Sequence, residues 1–460
     1  MSDHDTTATD TLLKLAQQAV EMARAAGAND AWATAVQDSS LSYAFRDGKP
    51  ETVSDSTKRG LELKLYVDGR YGVYSTTDLR EAHLRDFIRE AVPLTRQLQA
   101  DPQRRITPPA LFPTASAAAL QLVDPRIAGL TREQRLAWCR ELEAAVSGEP
   151  TLISATSSVE DGHKLVADAS SNGFSGAYGK TSVGFFQQVS LRDRGPGGRE
   201  GGSERRAEGD DGAACLHLDD LPSTARIGEQ TLARARARLG SRQGPTMKGT
   251  LVVEPRAARR LVSDLLAPAT AGNISQGQSF WPKLIDTQAL SDKLTIIDDP
   301  LRPRGLESHP YDREGIAARP LTLIERGVPK AVYADTYYAA KTGLPVTTGD
   351  PSNQIVQPGE RALAEIIRAV GDGVLVTAWA GGNADPTTGA FSQGLNGHII
   401  RGGEIAEPVI GMIVTGNLKT LFASLVEVGN DPFLYTALRT PTLVFEGVQF
   451  SGAGNSHPVA

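Results

Sequence analysis

The stretch GGNADPTTGAFSQGLNGHII, residues 381–400, is rich in Gly, Asn, Thr and Ser, as linkers are, yet its second half alternates as strands do. From residue 391 onward the odd positions carry the larger side chains, including Phe391, Leu395 and Ile399. The even positions carry small or polar ones, namely Ser392, Gly394, Asn396 and His398. Because the side chains of a strand point alternately to its two faces, this period of two predicts a strand with one apolar face and one small, polar face.

The small, polar face of the predicted strand has two interpretations. An extended peptide can run beside the strand and pair with it through backbone hydrogen bonds that ignore sequence. Alternatively, this face packs under a neighbouring loop, and glycine is present because the two backbones approach closely. The candidate peptide contacts are Ser392, Gly394, Asn396 and His398. We interpret His398 as a hydrogen-bonding residue rather than a ligand.

The composition is that of an ordinary globular protein. The chain has 460 residues, of which 40% are hydrophobic and 22% are charged, so it can bury a sizeable core and form two or three domains. Its formal net charge of −6 argues against nucleic-acid binding, which requires clustered Lys and Arg. The start is acidic and lacks the apolar region of a secretory signal, and no uncharged stretch is long enough to span a bilayer, so we expect a cytoplasmic protein.

The order of predicted elements indicates an α+β protein, with a mixed α/β N-terminal domain followed by a strand-rich, barrel-like C-terminal domain. Residues 1–118 contain two helices and two hairpins, whose turns carry Asp-Gly pairs at 47–48 and 68–69. Residues 119–244 complete the N-terminal domain and include a Gly-rich, charged segment at 192–212, which we interpret as a mobile loop. Residues 245–460 carry many short strands, for which a sheet curled toward a barrel is the natural closure.

Several catalytic motifs are absent from the sequence. No GxSxG elbow offers a nucleophile for a hydrolase triad. The seven histidines are never four apart, which excludes the HExxH zinc motif. A stretch at 272–279 has the glycine spacing of a phosphate loop but carries Gln278 in place of the lysine. Cys139 and Cys215 form neither a CxxC motif nor a disulfide framework, and we expect both to be buried or idle thiols.

Four stretches make the chain resemble the TldD/PmbA family, long named modulators of DNA gyrase, and more closely its PmbA branch, which is also called TldE. They are SSNGFSGAYGKTS at 170–182, YDREGIAARPLTLIERGV at 311–328, residues 371–418 around the alternating strand, and VGNDP at 428–432. The resemblance implies a mixed α/β N-terminal domain, a barrel-like C-terminal domain and at least a dimer. It also implies that the zinc peptidase is a TldD-like partner, which acts on peptides in a heterodimer with the TldE-like subunit.

In the TldD branch, a helix early in the C-terminal domain carries HExxxH, and a cysteine near the end completes the zinc site. The matching helix here is VVEPRAARRLVSDLL, residues 252–266, with Pro255 at its first turn, and the segment with the cysteine is absent. The residues of this helix that are predicted to face a core are Ala258, Leu261, Val262 and Leu265. Glu254 stands at the first histidine position, Pro255 at the catalytic glutamate and Arg259 at the second histidine. Because arginine repels a dication and proline cannot accept a proton, the resemblance implies no catalytic residue and no metal site in this chain. Zinc is expected in the partner subunit.

The leading hypothesis is a non-catalytic TldE-like subunit of a cytoplasmic TldD/TldE-type zinc metallopeptidase complex, acting on unfolded or small peptides that include modified products of the ribosome. The alternative is a protein that self-associates as a homodimer and binds peptides or a partner without protease activity. An autonomous metallopeptidase is disfavoured, because no His, Asp or Glu cluster has ligand spacing. Asp312 and Glu314 of YDREG form a candidate ligand loop, although such a turn before a strand is more often structural.

Overall fold

The computed structural model of the chain describes residues 3–113, 120–193 and 205–452. Within these ranges the strands form three sheets of six, four and seven strands. The six-stranded sheet belongs to the N-terminal half, and the other two belong to the C-terminal half. This arrangement confirms the predicted fold class, a mixed α/β domain followed by a barrel-like domain. No helix in the described part of the chain is both long enough and apolar enough to cross a membrane.

The N-terminal half is built around one antiparallel sheet with the strand order β3-β2-β1-β4-β5-β6. Its helices and strands are, in chain order, α1 (Asp3–Ala25), β1 (Asp30–Arg46), β2 (Lys49–Val67), β3 (Arg70–Thr76), α2 (Glu81–Thr95), α3 (Arg132–Val146), β4 (Leu152–Ser170), β5 (Ser175–Asp193), β6 (Arg205–Cys215) and α4 (Thr224–Arg236). Because β1 pairs with β4, the segments before and after residue 119 share this sheet.

The two predicted hairpin turns lie between β1 and β2 and between β2 and β3. Asp47 and Gly48 have φ angles of 51° and 77°, and Asp68 and Gly69 have φ angles of 50° and 75°. Two consecutive residues with positive φ are the signature of a type I′ turn, for which Asp-Gly is a favoured pair. The local sequence therefore sets the register of both hairpins.

Helices cover one face of the six-stranded sheet. α1 and α2 pack against alternate residues of the strands, among them Leu63 of β2 and Ala167 of β4, both fully buried. On the same face, α3 and α4 pack further along the sheet, where Cys139 and Ile227 meet Val159 of β4. The opposite face of β1, β2 and β4 is therefore the one left for contacts with the C-terminal half.

The prediction of a mobile loop at 192–212 is wrong at both ends of this range. β5 continues through Asp193 and β6 begins at Arg205, and these two residues lie opposite each other in the sheet. The charges of β6 have partners elsewhere in the fold, since Arg256 forms ion pairs with two of its aspartates at 2.5 and 2.8 Å. Residues 194–204 lie outside the described ranges.

The C-terminal half is rich in strands, as predicted, with short helices between them. Its elements are β7 (Arg242–Gln243), β8 (Met247–Val253), α5 (Pro255–Leu266), α6 (Ala271–Ser275), β9 (Ile296–Asp298), β10 (Leu321–Glu325), β11 (Val328–Pro329), α7 (Thr336–Thr342), β12 (Gln354–Val356), α8 (Leu363–Val370), β13 (Gly373–Ala384), β14 (Ala390–Arg401), β15 (Glu404–Asn417), α9 (Leu418–Ala423), β16 (Leu425–Val428) and β17 (Leu443–Ser451).

Five of these strands close into a barrel. The sheet runs β17-β8-β13-β14-β15, and an additional pairing of β15 with β17 joins its two ends. Closure leaves no unpaired edge among these five strands. Leu251, Leu395 and Phe450 of the barrel are fully buried and share one core with Leu261 and Leu265 of α5. The barrel predicted from the density of short strands is confirmed.

One strand of the N-terminal sheet keeps a free edge. β1 pairs with β2 along the whole length of β2, whereas β3 pairs only with residues 61–67. Among the residues that the structure describes, positions 49–60 of β2 therefore have a neighbouring strand on one side only. Pro50, Lys58 and Arg59 occupy this stretch, and both proline and charge on an edge hinder association between sheets.

Candidate functional site

The helix that the resemblance matches to the zinc helix of the TldD branch is α5. Val252 and Val253 end strand β8, so the helix begins three residues later than the predicted 252–266. Pro255 occupies the first helical position, where its missing N–H has no helical partner to lose. Ala258 and Leu261 are fully buried on the inner side of the helix. The sequence thus predicted the role of proline and the buried face, but not the residue at which the helix starts.

The three positions that the resemblance aligns with the zinc motif do not fit a metal. A carboxylate oxygen of Glu254 lies 2.7 Å from Arg234 Nη1, so the one potential ligand is already paired with a cation. Pro255 has no donor atom in its side chain, and Arg259 is exposed and positively charged. In the described part of the chain, no group of three or more His, Cys, Asp or Glu side chains is placed to hold a metal ion.

Both cysteines are free and buried, as the sequence predicted. Burial raises the pKa of Cys139 to about 11 and the pKa of Cys215 to about 12. At neutral pH both thiols are therefore protonated, and a protonated thiol is a poor nucleophile and a poor metal ligand.

The purified chain alone is expected to hold no stoichiometric zinc. The physical reason is that Glu254 is bound to Arg234 and that Arg259 repels a dication. Elemental analysis after gel filtration in a zinc-containing buffer measures this directly. One tightly bound zinc per chain that disappears in Glu254→Gln would contradict the expectation.

The alternating strand that opened the sequence analysis is β14, and its two faces are those predicted. Phe391, Leu395 and Ile399 belong to the barrel core, with exposures of 6%, 0% and 6%. On the other face Ser392 is exposed, and Gly394 and Asn396 are half-buried. The register of the strand is therefore the one that the period of two indicated.

His398 does not belong with the other candidate peptide contacts. It is only 7% exposed, and its Nε2 atom lies 2.8 Å from the backbone oxygen of Ala237, at the end of α4. It joins the barrel to the N-terminal half and cannot be reached by a peptide. Its role as a hydrogen-bonding residue is confirmed, whereas its inclusion in the peptide-contact set is wrong.

The backbone of β14 is not open to a peptide either. β13 pairs with it on one side and β15 on the other, so the predicted pairing of a peptide with this backbone is wrong. A Cβ atom added to Gly394 would lie 3.1 Å from the backbone oxygen of Ala380 in β13, so the glycine permits a close approach of two strands. Contact of a peptide with the side chains of Ser392 and Asn396 stays a prediction.

Asp312 organises the loop that contains YDREG. One carboxylate oxygen accepts hydrogen bonds from the backbone N–H groups of Glu314 and Ile316, at 2.9 and 3.0 Å. The other accepts from the Thr348 hydroxyl at 3.0 Å and from the Gly349 N–H at 3.2 Å. With four donors on one buried carboxylate, Asp312 has a structural role in this loop.

Glu314 holds the same loop against helix α7. Its carboxylate accepts hydrogen bonds from the backbone N–H of Thr336 at 2.8 Å and from the Thr336 hydroxyl at 3.1 Å. A carboxylate at the first turn of a helix also interacts favourably with the helix dipole. Burial raises the pKa of Glu314. Both candidate ligand residues of this loop are thus engaged within the protein.

Sequence reasoning missed a cavity of about 770 Å³ between the sheet of the N-terminal half and the loops of the C-terminal half. We call it the interdomain cavity. Thr34, Asp168 and Tyr178 line it from the sheet, and Tyr311 and Asp312 line it from the YDREG loop. The only signal in the local sequence was Asp168 in KLVADAS. Alternation places it on the face of the strand opposite to Ala167 and Ala169.

Comparison with known proteins shows the family of the chain. Three PmbA/TldA metallopeptidase domains match it: domain 1 at residues 35–92, the central domain at 125–239 and the C-terminal domain at 246–452. The metalloprotease PmbA of Escherichia coli O157:H7 is 26% identical over 424 residues, which cover 91% of this chain and 92% of that protein. A PmbA homolog of Haemophilus influenzae is 24% identical over 437 residues, 94% of each chain.

Solved structures support the same family assignment. A crystal structure of a Bacteroides thetaiotaomicron protein, named as a candidate modulator of DNA gyrase, has a TM-score of 0.91 and 33% identity, and the match covers 96% of this chain and 98% of that one. TldE from Thermococcus kodakarensis has the same fold, with a TM-score of 0.83 at 16% identity over 95% of this chain and 100% of that one. The chain therefore belongs to the PmbA/TldA metallopeptidase family, the TldD/PmbA family that its sequence motifs indicated.

Proposed function

We propose that this chain is the non-catalytic, TldE-like subunit of a peptidase complex and that a TldD-like subunit supplies the zinc. The observation that carries the proposal is the start of α5, where Glu254 is paired with Arg234, Pro255 occupies the first helical position and Arg259 is exposed. This arrangement offers neither a zinc ligand nor a general base. Membership of a metallopeptidase family supports peptides as the substrate class.

The proposed substrates are unfolded or small peptides, among them modified peptides made by ribosomes, and the proposed compartment is the cytoplasm. Two free thiols fit a reducing compartment. The pairing requires an interface on the order of 2,000 Å² or more, with an apolar centre. Aromatic side chains next to Arg259 are suited to such a centre. Phe186, Phe433 and Tyr435 line a cavity of about 430 Å³ together with that arginine.

The test is reconstitution of the pair. This chain is mixed with a TldD-like subunit that carries HExxxH, and cleavage of an unstructured peptide is followed. We expect the mixture to cleave and this chain alone not to. Replacing the glutamate of the partner's HExxxH should lower the rate by about 100-fold or more, because the general base is lost.

A matched control lies in this chain. Glu254→Gln changes the residue at the corresponding end of α5 and should leave the rate of the mixture within about threefold, because this helix performs no proton transfer. Loss of cleavage in the Glu254→Gln mixture, or cleavage by this chain alone, would contradict the proposal. A stable homodimer that binds peptide but never supports cleavage with the partner would favour the alternative, a peptide-binding protein without protease activity.

A further inference from the structure

The interdomain cavity contains a buried carboxylate that forms no ion pair with the described residues. Asp168 is 4% exposed, and one of its oxygens accepts hydrogen bonds from Trp32 Nε1 at 3.2 Å and from Thr34 Oγ1 at 2.6 Å. No Lys, Arg or His of the described residues forms an ion pair with it. Burial raises the pKa of Asp168. A carboxylate that is buried without a positive charge is unfavourable, so a cation entering the cavity would be stabilised there.

A second polar group in the same cavity is unsatisfied. The hydroxyl of Tyr311 is buried beside the Asp168 carboxylate, and no described residue meets it with ordinary hydrogen-bond geometry. Its ring is held in place by Phe174 and Tyr178, with centroids 4.8 and 5.6 Å away. Burial, and after it the charge of Asp168, raises the pKa of Tyr311, so the hydroxyl keeps its proton. Because buried polar groups are almost always hydrogen-bonded, a group that enters the cavity would be stabilised by binding this hydroxyl and the Asp168 carboxylate together.

The charges around the cavity favour a cation over an anion. Five carboxylates line the cavity against three Lys or Arg side chains, and one of these three, Arg313, is paired with Asp350. The carboxylates belong to Glu62, Asp168, Glu307, Asp312 and Asp350, and the other two cations are Lys64 and Lys164. The lining therefore carries more negative than positive charge, which disfavours an anion beside the Asp168 carboxylate. The faces of Tyr178 and Tyr311 also attract a positive charge, as aromatic rings do.

The mouth of the cavity points to a peptide as the carrier of that cation. Gly60 of β2 and residues 75–77 at the end of β3 line it. At this point β3 stops, and the free edge of β2 begins. A chain that leaves the cavity in extended form meets unpaired backbone groups of β2, with which it can form strand-type hydrogen bonds.

We propose that the interdomain cavity binds the ammonium group of a peptide, between the Asp168 carboxylate and the Tyr311 hydroxyl. The group is either the N-terminal amine or a lysine side chain, which share this chemistry. The choice of a peptide rests on the proposed function. The test below uses this chain alone, so its failure is distinct from failure of the reconstituted peptidase.

Three short, unstructured peptides of equal length distinguish the sources. The first has a free N-terminus and no lysine, the second is its N-acetylated form, and the third is N-acetylated with one lysine. Binding is measured by isothermal titration calorimetry. Asp168→Asn keeps an acceptor for Thr34 and Trp32 but removes the charge, and it should weaken binding about tenfold or more. Tyr311→Phe removes a hydroxyl that forms no ordinary hydrogen bond within the described residues, so it should weaken binding several-fold while leaving thermal stability nearly unchanged.

Asp10→Asn is the matched control, because Asp10 is exposed on α1 and does not line the cavity. It should leave binding unchanged. Preference for the first peptide assigns the N-terminal amine, and preference for the third assigns lysine. Binding of the second peptide as tightly as the others, no binding of any peptide, or unchanged binding in both Asp168→Asn and Tyr311→Phe would overturn the proposal.

Discussion

Replacing Leu395 by aspartate is expected to unfold the C-terminal barrel or to lower its free energy of unfolding by about 4 kcal/mol or more. The side chain is fully buried in β14, within the core that the barrel shares with α5. The variant loses the burial of a leucine and places a carboxylate where no described side chain can pair with it. Urea denaturation of the variant and the parent chain, followed by circular dichroism, measures the difference.

The control for this variant lies three residues away on the other face of the same strand. Ser392 is exposed, so Ser392→Asp introduces the same carboxylate into solvent and should change the free energy of unfolding by about 0.5 kcal/mol or less. A stable Leu395→Asp variant together with an unfolded Ser392→Asp variant would mean that the two faces of β14 are exchanged.

The second large effect is expected from Arg135→Met in the N-terminal half. Arg135 of α3 and Asp161 of β4 form a two-pronged ion pair at 2.5 and 2.8 Å, and both side chains are buried. Arg135 also donates to the backbone oxygen of Leu130 at 2.7 Å. Removal of the guanidinium leaves a buried carboxylate without its cation, which should lower the free energy of unfolding by about 3–5 kcal/mol.

A double variant separates the lost pair from the uncompensated charge. Arg135→Met combined with Asp161→Leu removes both charges and should recover most of the stability, because a packed apolar pair can replace a buried ion pair with little net loss. Chemical denaturation of the two single variants and the double variant gives the coupling energy. Additive losses in the double variant would show that packing, and not charge, dominates at this site.

Local sequence patterns predicted the local features of this protein well. Asp-Gly pairs marked two hairpin turns, Pro255 marked the first turn of α5, and the period of two placed Leu395 in the core. Each of these depends on residues within one element, because backbone conformation and the direction of alternate side chains are local properties. The order and number of the predicted elements indicated the two domains and the barrel, and the resemblance to the family implied the same arrangement.

Features that depend on distant parts of the chain were missed or wrong. The alternation showed that His398 shares a face with Ser392, but it could not show that α4 covers one of them and not the other. In the same way, the cavity brings Asp168 of β4 next to Tyr311 of a loop in the other half. No spacing along the chain encodes such a contact, since it arises from packing between the two halves.

The long-range pairing of strands also sets the order in which the protein can acquire its structure. Trp32 of β1 lies opposite Ser170 of β4. One edge of β1 therefore stays unpaired during synthesis until residues near 170 have left the ribosome. The barrel can close only after β17 has been synthesised, because Lys248 of β8 lies opposite Gln449 of β17. Contacts between such distant residues slow folding, since a long loop must close before they form. A chain whose synthesis stops before β17 therefore exposes the open edge of β8. Closure of the barrel in the C-terminal half thus depends on the nine residues of β17.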